Sequence, residues 1–178
     1  MVSQVFKQID WCLKKAEREL EECKAQKKKS RHRGLVKVEP NKKLALAHID
    51  KARHLLRGLK FLRKNGFSDL AIGFGFYSIY HCFLAIALKF GYESRNQICT
   101  ISLMEYLLEE GKIQIKKEII EFMKYKEDES NIEESIIELR ENYTYGVDLE
   151  VKDEEQLNNI EKLCVEFIGE TRSVVYSE

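Results

Sequence analysis

The chain has 178 residues, with one proline, five cysteines and 34% charged side chains, and its 30 basic and 30 acidic residues cancel. That length closes a single hydrophobic core, and the shortage of proline fits an α-helical protein. The neutral average hides an asymmetry, because residues 1–89 hold 20 Lys/Arg against 8 Asp/Glu and residues 90–178 hold 10 against 22. Such a division favours self-association or a polyanion bound to the first half, and it equally fits basic and acidic helices pairing within one fold.

The first predicted element is an amphipathic helix over residues 3–25, with Phe6, Ile9, Leu13, Ala16, Leu20 and Cys23 on one seam. Lys7 and Asp10 interrupt any apolar run that could read as a signal peptide, so a cytoplasmic location is expected. A basic connection follows, carrying Lys27, Lys28, Lys29, Arg31 and Arg33 and closing on Pro40. Helix cannot comfortably cross Gly34 and Pro40. The cations could contact phosphates, but no aromatic is interleaved for base stacking, and a solvated mobile loop is the alternative. Residues 1–40 are set apart as an N-terminal helix and loop, and residues 41–178 as the main bundle.

A second helix is predicted from the N-cap Asn41 to the Asn65-Gly66 stop, its inner face Leu44, His48, Ala52, Leu55, Leu59 and Leu62. Arg53, Arg57, Lys60 and Lys64 line the opposite face with no acidic residue among them, a stripe suited to RNA, an acidic partner or plain solvent. His48 and His54 point to different faces and are not expected to share a metal. No metal site or cofactor is expected anywhere in the chain.

The third element, Leu70 to Phe90, is the hub. It carries no formal charge before Lys89 and has apolar character on every side. A small stripe (Ala71, Gly75, Ser78, Cys82, Ala85) admits a neighbouring backbone, a bulky one (Ile72, Phe76, Ile79, Phe83, Ile86, Phe90) fills the other side, and a mixed one holds Phe74, Tyr77, His81, Leu84 and Leu88. About twenty apolar residues could span a bilayer. The histidine, the mid-depth tyrosines and two glycines argue instead for a buried helix of a soluble protein. The short Asn65-Gly66-Phe67 turn makes an antiparallel hairpin with the second helix, and His81 reads as a core histidine. The glycines of AIGFGFYS are no dinucleotide fingerprint, since no strand precedes them.

Beyond Gly91 come helices at about 98–110 and 115–125. A further helix is opened by Ser130 and Glu133 at capping-box spacing and carries Ile132, Ile136, Leu139 and Tyr143. The last helix starts at Asp153 with Leu157, Ile160, Cys164, Phe167, Thr171 and Val174 inward. No segment reads as a strand. Cys12, Cys23, Cys82, Cys99 and Cys164 are scattered without a Cys-x-x-Cys, so they are expected to be small core residues in a reducing cytosol, neither a disulfide frame nor a zinc site.

The hairpin LLRGLKFLRKNGFSDLAIGFGFYSIYHCFLAIALKFGYES, the EEGKI helix end and the segment Leu139-Arg140-Glu141-Asn142-Tyr143-Thr144-Tyr145-Gly146 together resemble the HEPN family of small α-helical prokaryotic domains over roughly residues 44–176. The resemblance implies an up-and-down bundle of four to five helices, a homodimer, and a shared cleft holding the arginine of each copy. Family members include metal-independent ribonucleases and toxins, RNA-binding modules, and partners of a minimal nucleotidyltransferase. Active members carry Arg, four residues, then His, because one group must offset phosphate charge and another must move protons near neutral pH. Here Tyr145 stands at the histidine position and Thr144 at the Asp of a related Asp-Tyr-Gly pattern. A phenol with a reference pKa of about 10 is a poor general base. The resemblance therefore points to RNA or nucleotide binding at Arg140, Asn142, Tyr143 and Tyr145, with Arg140 and Tyr145 the candidate catalytic pair of a weakened ribonuclease. The alternative it offers is a non-catalytic toxin–antitoxin type subunit, with Arg140 paired to a carboxylate such as Glu141 or the partner subunit's Glu133 and the tyrosines packing the dimer seam.

Overall fold

The computed structural model describes residues 3–125 and 135–177. The fold is all-α: among these residues lie α1 (Gln4–Ala25), α2 (Lys42–Lys64), α3 (Ser68–Lys89), α4 (Gln97–Glu109), α5 (Lys117–Phe122), α6 (Ile136–Tyr145) and α7 (Glu154–Tyr176), with two three-residue strands, β1 (Leu35–Lys37) and β2 (Tyr92–Ser94).

α3 is the axis, because a helix apolar on all sides must be covered on as many sides as the chain can supply. Its small and bulky stripes are buried from Ala71 to Ile86. The Ser78 hydroxyl donates to the Ala52 carbonyl at 2.9 Å, tying α3 to α2, and Gly75 admits α7, since a Cβ there would lie 2.5 Å from Ile160 Cγ2. By length and composition α3 could cross a membrane, yet 61% of its most apolar window is buried by the rest of the protein, the packing of a core helix. α7 runs parallel to α3, starting near the α2–α3 turn, where Val151 N–H donates to Ser68 Oγ at 2.8 Å, and ending where Lys89 reaches the Ser177 carbonyl. Phe167 of α7 meets Phe83 edge-on at 5.4 Å between centroids.

Several expectations change. On α2 the buried face is Ala45, Ile49, Ala52, Leu55 and Leu59; Ala52, Leu55 and Leu59 are as expected, while in the first two turns Ala45 and Ile49 take the places of His48 and of Leu44, which is exposed. The basic stripe does have acidic partners: Arg53 pairs with Asp50 of its own helix at 3.3 Å, and α7 supplies the others, Lys60 with Glu161 at 3.3 Å and the neighbouring Arg63 with Glu154 and Glu161. The pairs that reach solvent fix register more than they stabilise, and Arg63–Glu161 is partly buried. On α1 the buried seam is Ile9, Cys12 and Ala16, and Phe6 is half-exposed.

The expectation of no strands is also corrected. β1 and β2 pair antiparallel, with Leu35 opposite Ser94 and Lys37 opposite Tyr92. Three residues are too few for an alternating pattern to show in the sequence. Gly34 lets the chain enter β1 directly against α1, where a Cβ would meet the Cys12 carbonyl at 2.4 Å. Gly91, at φ +75°, turns α3 into β2. The basic connection is thus anchored at its far end: His32 and Leu35 are buried, with His32 Nε2 3.5 Å from Glu93, whereas Lys27, Lys28, Lys29, Arg31 and Arg33 are exposed.

The two outer elements are also joined covalently. α1 lies antiparallel on α4, with Phe6 beside Tyr106, and Cys12 and Cys99 form a disulfide with Cα atoms 5.8 Å apart. This corrects the expectation of five free thiols. The two cysteines are separated by 87 residues, and only the α1–α4 packing makes them neighbours. Cys23, Cys82 and Cys164 remain free, and burial pushes the Cys82 and Cys164 thiols up to about 12, so both stay protonated and inert.

Candidate ligand site around Arg140

α6 carries the predicted site. Ser130, Ile132 and Glu133 lie outside the described residues. The capping box of α6 is formed five residues later, by Ser135 and Glu138, with Ser135 N–H donating to the Glu138 carboxylate at 2.8 Å. Ser-x-x-Glu occurs twice in succession here, and the second copy opens the helix. Ile136, Ile137 and Leu139 are buried against α3, which fixes the side from which Arg140 emerges.

The Arg140 guanidinium lies over the Phe76 ring, 4.5 Å from its centroid, and its Nη2 donates to Glu141 at 3.1 Å. Its side chain is 19% exposed. The Glu141 carboxylate also accepts the Tyr125 hydroxyl, and that hydrogen bond, with some burial, raises the Tyr125 pKa above its usual value. The arginine is therefore held by an aromatic face below and a carboxylate at its side, an arrangement that orients the fork without using most of its five N–H donors.

Of the other predicted residues, Asn142 is exposed and gives its carbonyl to Gly146 N–H at 2.8 Å, closing the helix. Tyr143 packs partly against the core. Tyr145 projects outward, 83% exposed. Five positions along a helix separate side chains by about 140°, so Arg140 and Tyr145 face different directions, and Tyr145 has no hydrogen bond among the described residues. The basic residues Lys27, Lys28, Lys29, Arg31, Arg33, Arg53, Arg57 and Lys60 are all exposed; they lie on the 26–33 connection and on α2, apart from α6.

Two features were not anticipated. The first is a set of exposed apolar side chains: Tyr145 at the end of α6, Val147 (92% exposed) and Leu149 (76%) after it, and Leu70 (50%) and Tyr77 (45%) on α3, Tyr77 being next in the chain to the Phe76 that carries Arg140. Val151, bonded to Ser68, brings the 146–150 segment back to the start of α3. The second is a histidine pair, His81 on the mixed stripe of α3 with His48 of α2, Nδ1 to Nδ1 at 2.8 Å. His81, expected to be a satisfied core histidine, has its hydrogen-bond partner in His48 but is only half-buried. The hairpin register was the available signal, because the two histidines are nearly equidistant from the Asn65 turn. Burial lowers the pKa of both; His81 falls to about 4, with His48 and Lys51 adding to the effect. Among the described residues no three His, Cys, Asp or Glu side chains gather to hold a metal ion. Neither a protein-family model nor a curated protein matches the chain.

Proposed function

We propose that this protein is a cytoplasmic, self-associating binding module that holds a phosphate of an RNA or nucleotide at Arg140, in keeping with its resemblance to the HEPN family. The observation that supports this best is the guanidinium held on the Phe76 ring, next in the chain to the exposed Tyr77 of α3. Exposed aliphatic and aromatic side chains in one region mark an interaction site, and a second copy seated on Leu70, Tyr77, Val147 and Leu149 would bring two Arg140 side chains towards one cleft. Phosphate then competes with Glu141 for a planar fork that matches it bidentately, and Tyr145 offers a face for stacking. Tyr145 stands 83% exposed without a hydrogen bond among the described residues, and the proposal is kept to binding. The cytoplasmic placement is supported by three unpaired cysteines; the Cys12–Cys99 bridge weighs against it, since structural disulfides are rare there.

Labelled single-stranded RNA titrated at stepped salt tests the ligand. Arg140→Ala is expected to weaken binding by roughly tenfold and to reduce the salt slope by about one; equal affinity removes Arg140 from the site. Light scattering tests the assembly. Wild type should run at twice its 21.0 kDa chain mass, and Tyr77→Glu, which places a charge in the apolar face, at the single mass. A wild-type monomer at micromolar concentration would rule the cleft out. The Arg140–Glu141 pairing favours a second reading, in which the charge is satisfied internally and the apolar face docks a protein, the resemblance suggesting a minimal nucleotidyltransferase. Intact complex formation by Arg140→Ala, with no RNA bound by wild type, would select it.

A further inference from the structure

We propose that the open edge of β1, with the groove between it and α1, binds an extended peptide of a partner protein as a third strand of the β1–β2 sheet, and that this peptide alternates apolar and basic side chains. The inference is independent of any role for Arg140.

β1 has one free edge. Its register with β2 sets Leu35 opposite Ser94 and Lys37 opposite Tyr92, and two flanking bonds, Val38 N–H to the Gly91 carbonyl and Arg95 N–H to the Gly34 carbonyl, fix which residues face β2. Such bonds recur at every second residue of an antiparallel ladder. Val36 therefore faces β2 as well, while the N–H and C=O groups of Leu35 and Lys37 point away from it and have no backbone partner among the described residues. An edge of this kind is a template for another strand.

The groove beside it measures about 400 Å3, and all three residues of β1 line it. Side chains alternate between the faces of a strand, so three consecutive residues share one wall only along an edge. The opposite wall is α1, where Leu13 and Leu20 supply apolar surface and Glu17 and Glu21 stand exposed. Neither glutamate has an ion pair among the described residues, so both charges are available to a ligand. The chain returns along α1 before entering β1, with Arg31 beside Cys23, Arg33 N–H on the Glu19 carboxylate and Gly34 against Cys12 and Ala16. A strand added to β1 therefore runs beside α1. Glu17 and Glu21 are one turn apart, about 6 Å along the helix, and alternate side chains of a strand recur at about 6.7 Å. Two basic side chains spaced two residues apart in the peptide meet the two carboxylates, and the apolar ones between them turn to the other side. Charge complementarity thus selects a basic peptide over an acidic one.

The probe is a fluorescein-labelled synthetic peptide, acetyl-Val-Arg-Val-Arg-Val-Ser-amide, titrated into the full chain and followed by anisotropy. Wild type should bind it at one site, and nitrogen-15 NMR should show the Leu35 and Lys37 amides shifting and exchanging more slowly. Lys37→Pro removes an outward N–H where a sheet edge tolerates proline, and it also removes a positive charge. Attraction of charge alone would strengthen binding in this variant, whereas loss of the edge should weaken it by at least about tenfold. Glu17→Gln combined with Glu21→Gln should weaken binding by about three- to tenfold, and a peptide carrying glutamate for arginine by at least about tenfold. Should Lys37→Pro fail to fold, the arginine peptide methylated on every backbone nitrogen decides, since it keeps both charges and should not bind. Binding that is unchanged or stronger in Lys37→Pro, retained by the methylated peptide, or equal for the glutamate peptide overturns the proposal. A lower mass of unliganded Lys37→Pro than of wild type in light scattering would give the edge to a second copy and overturn it too.

Discussion

Replacing Cys12 and Cys99 together with alanine is expected to lower the unfolding free energy by up to about 4–5 kcal/mol. The bridge joins residues 87 apart, and a cross-link of that span removes a large share of the open chain's entropy in the loop-closure account. Both cysteines are fully buried, so the variant also loses a little packing. Guanidinium unfolding in non-reducing buffer measures the loss, and wild type with dithiothreitol should move to nearly the variant's midpoint. Thiol titration of denatured, unreduced protein should find three reactive cysteines. Five would mean that the bridge is absent from the protein, and the expected loss would shrink to that of two small core substitutions.

Phe83→Ala is the second large effect, expected at about 3–5 kcal/mol. Phe83 has no exposed surface and lies on the side of α3 that meets Phe167 of α7. Removing the ring deletes its burial and the edge-to-face contact, and leaves a cavity between two helices that cannot close over it without sliding. Urea unfolding with an unchanged slope should show the loss. A change below about 1 kcal/mol would mean that α7 is not seated on α3 as described, because a buried phenylalanine in a packed core does not come out that cheaply.

Local chemistry made most of the fold legible. Asn41 caps α2 and accepts from Leu44 N–H, Asp153 caps α7, and Gly66, Gly91 and Gly111 all take positive φ where helices stop. The stripes of α3 and the inward face of α7 from Leu157 to Thr171 follow from helical spacing alone. What escaped notice depended on which elements come together. The acidic partners of Lys60 and Arg63 lie on α7, about ninety to a hundred residues away, and Cys12 finds Cys99 only through the α1–α4 contact. α6 starts at Ile136 because Ser135, with extended backbone, closes a capping box with Glu138; Ser130 and Glu133, which have the same spacing, lie outside the described residues.

The candidate site was legible as a residue and not as a surface. Arg140 stands out in the sequence beside two tyrosines, but its seat on Phe76 comes from another helix. The open mixed stripe of α3 contradicts nothing in its composition, since a helix apolar all round does not say which side a neighbour leaves bare.

α7 seals a side of α3 that was synthesised long before it. Sixty-five residues separate the end of α3 from the start of α7, which at ribosomal speeds of about 5–20 residues per second is roughly 3–13 s. Throughout that interval the nascent hairpin carries an uncovered greasy flank, so the protein's vulnerability to clumping or to capture by chaperones is concentrated during its birth and ends when the final helix emerges.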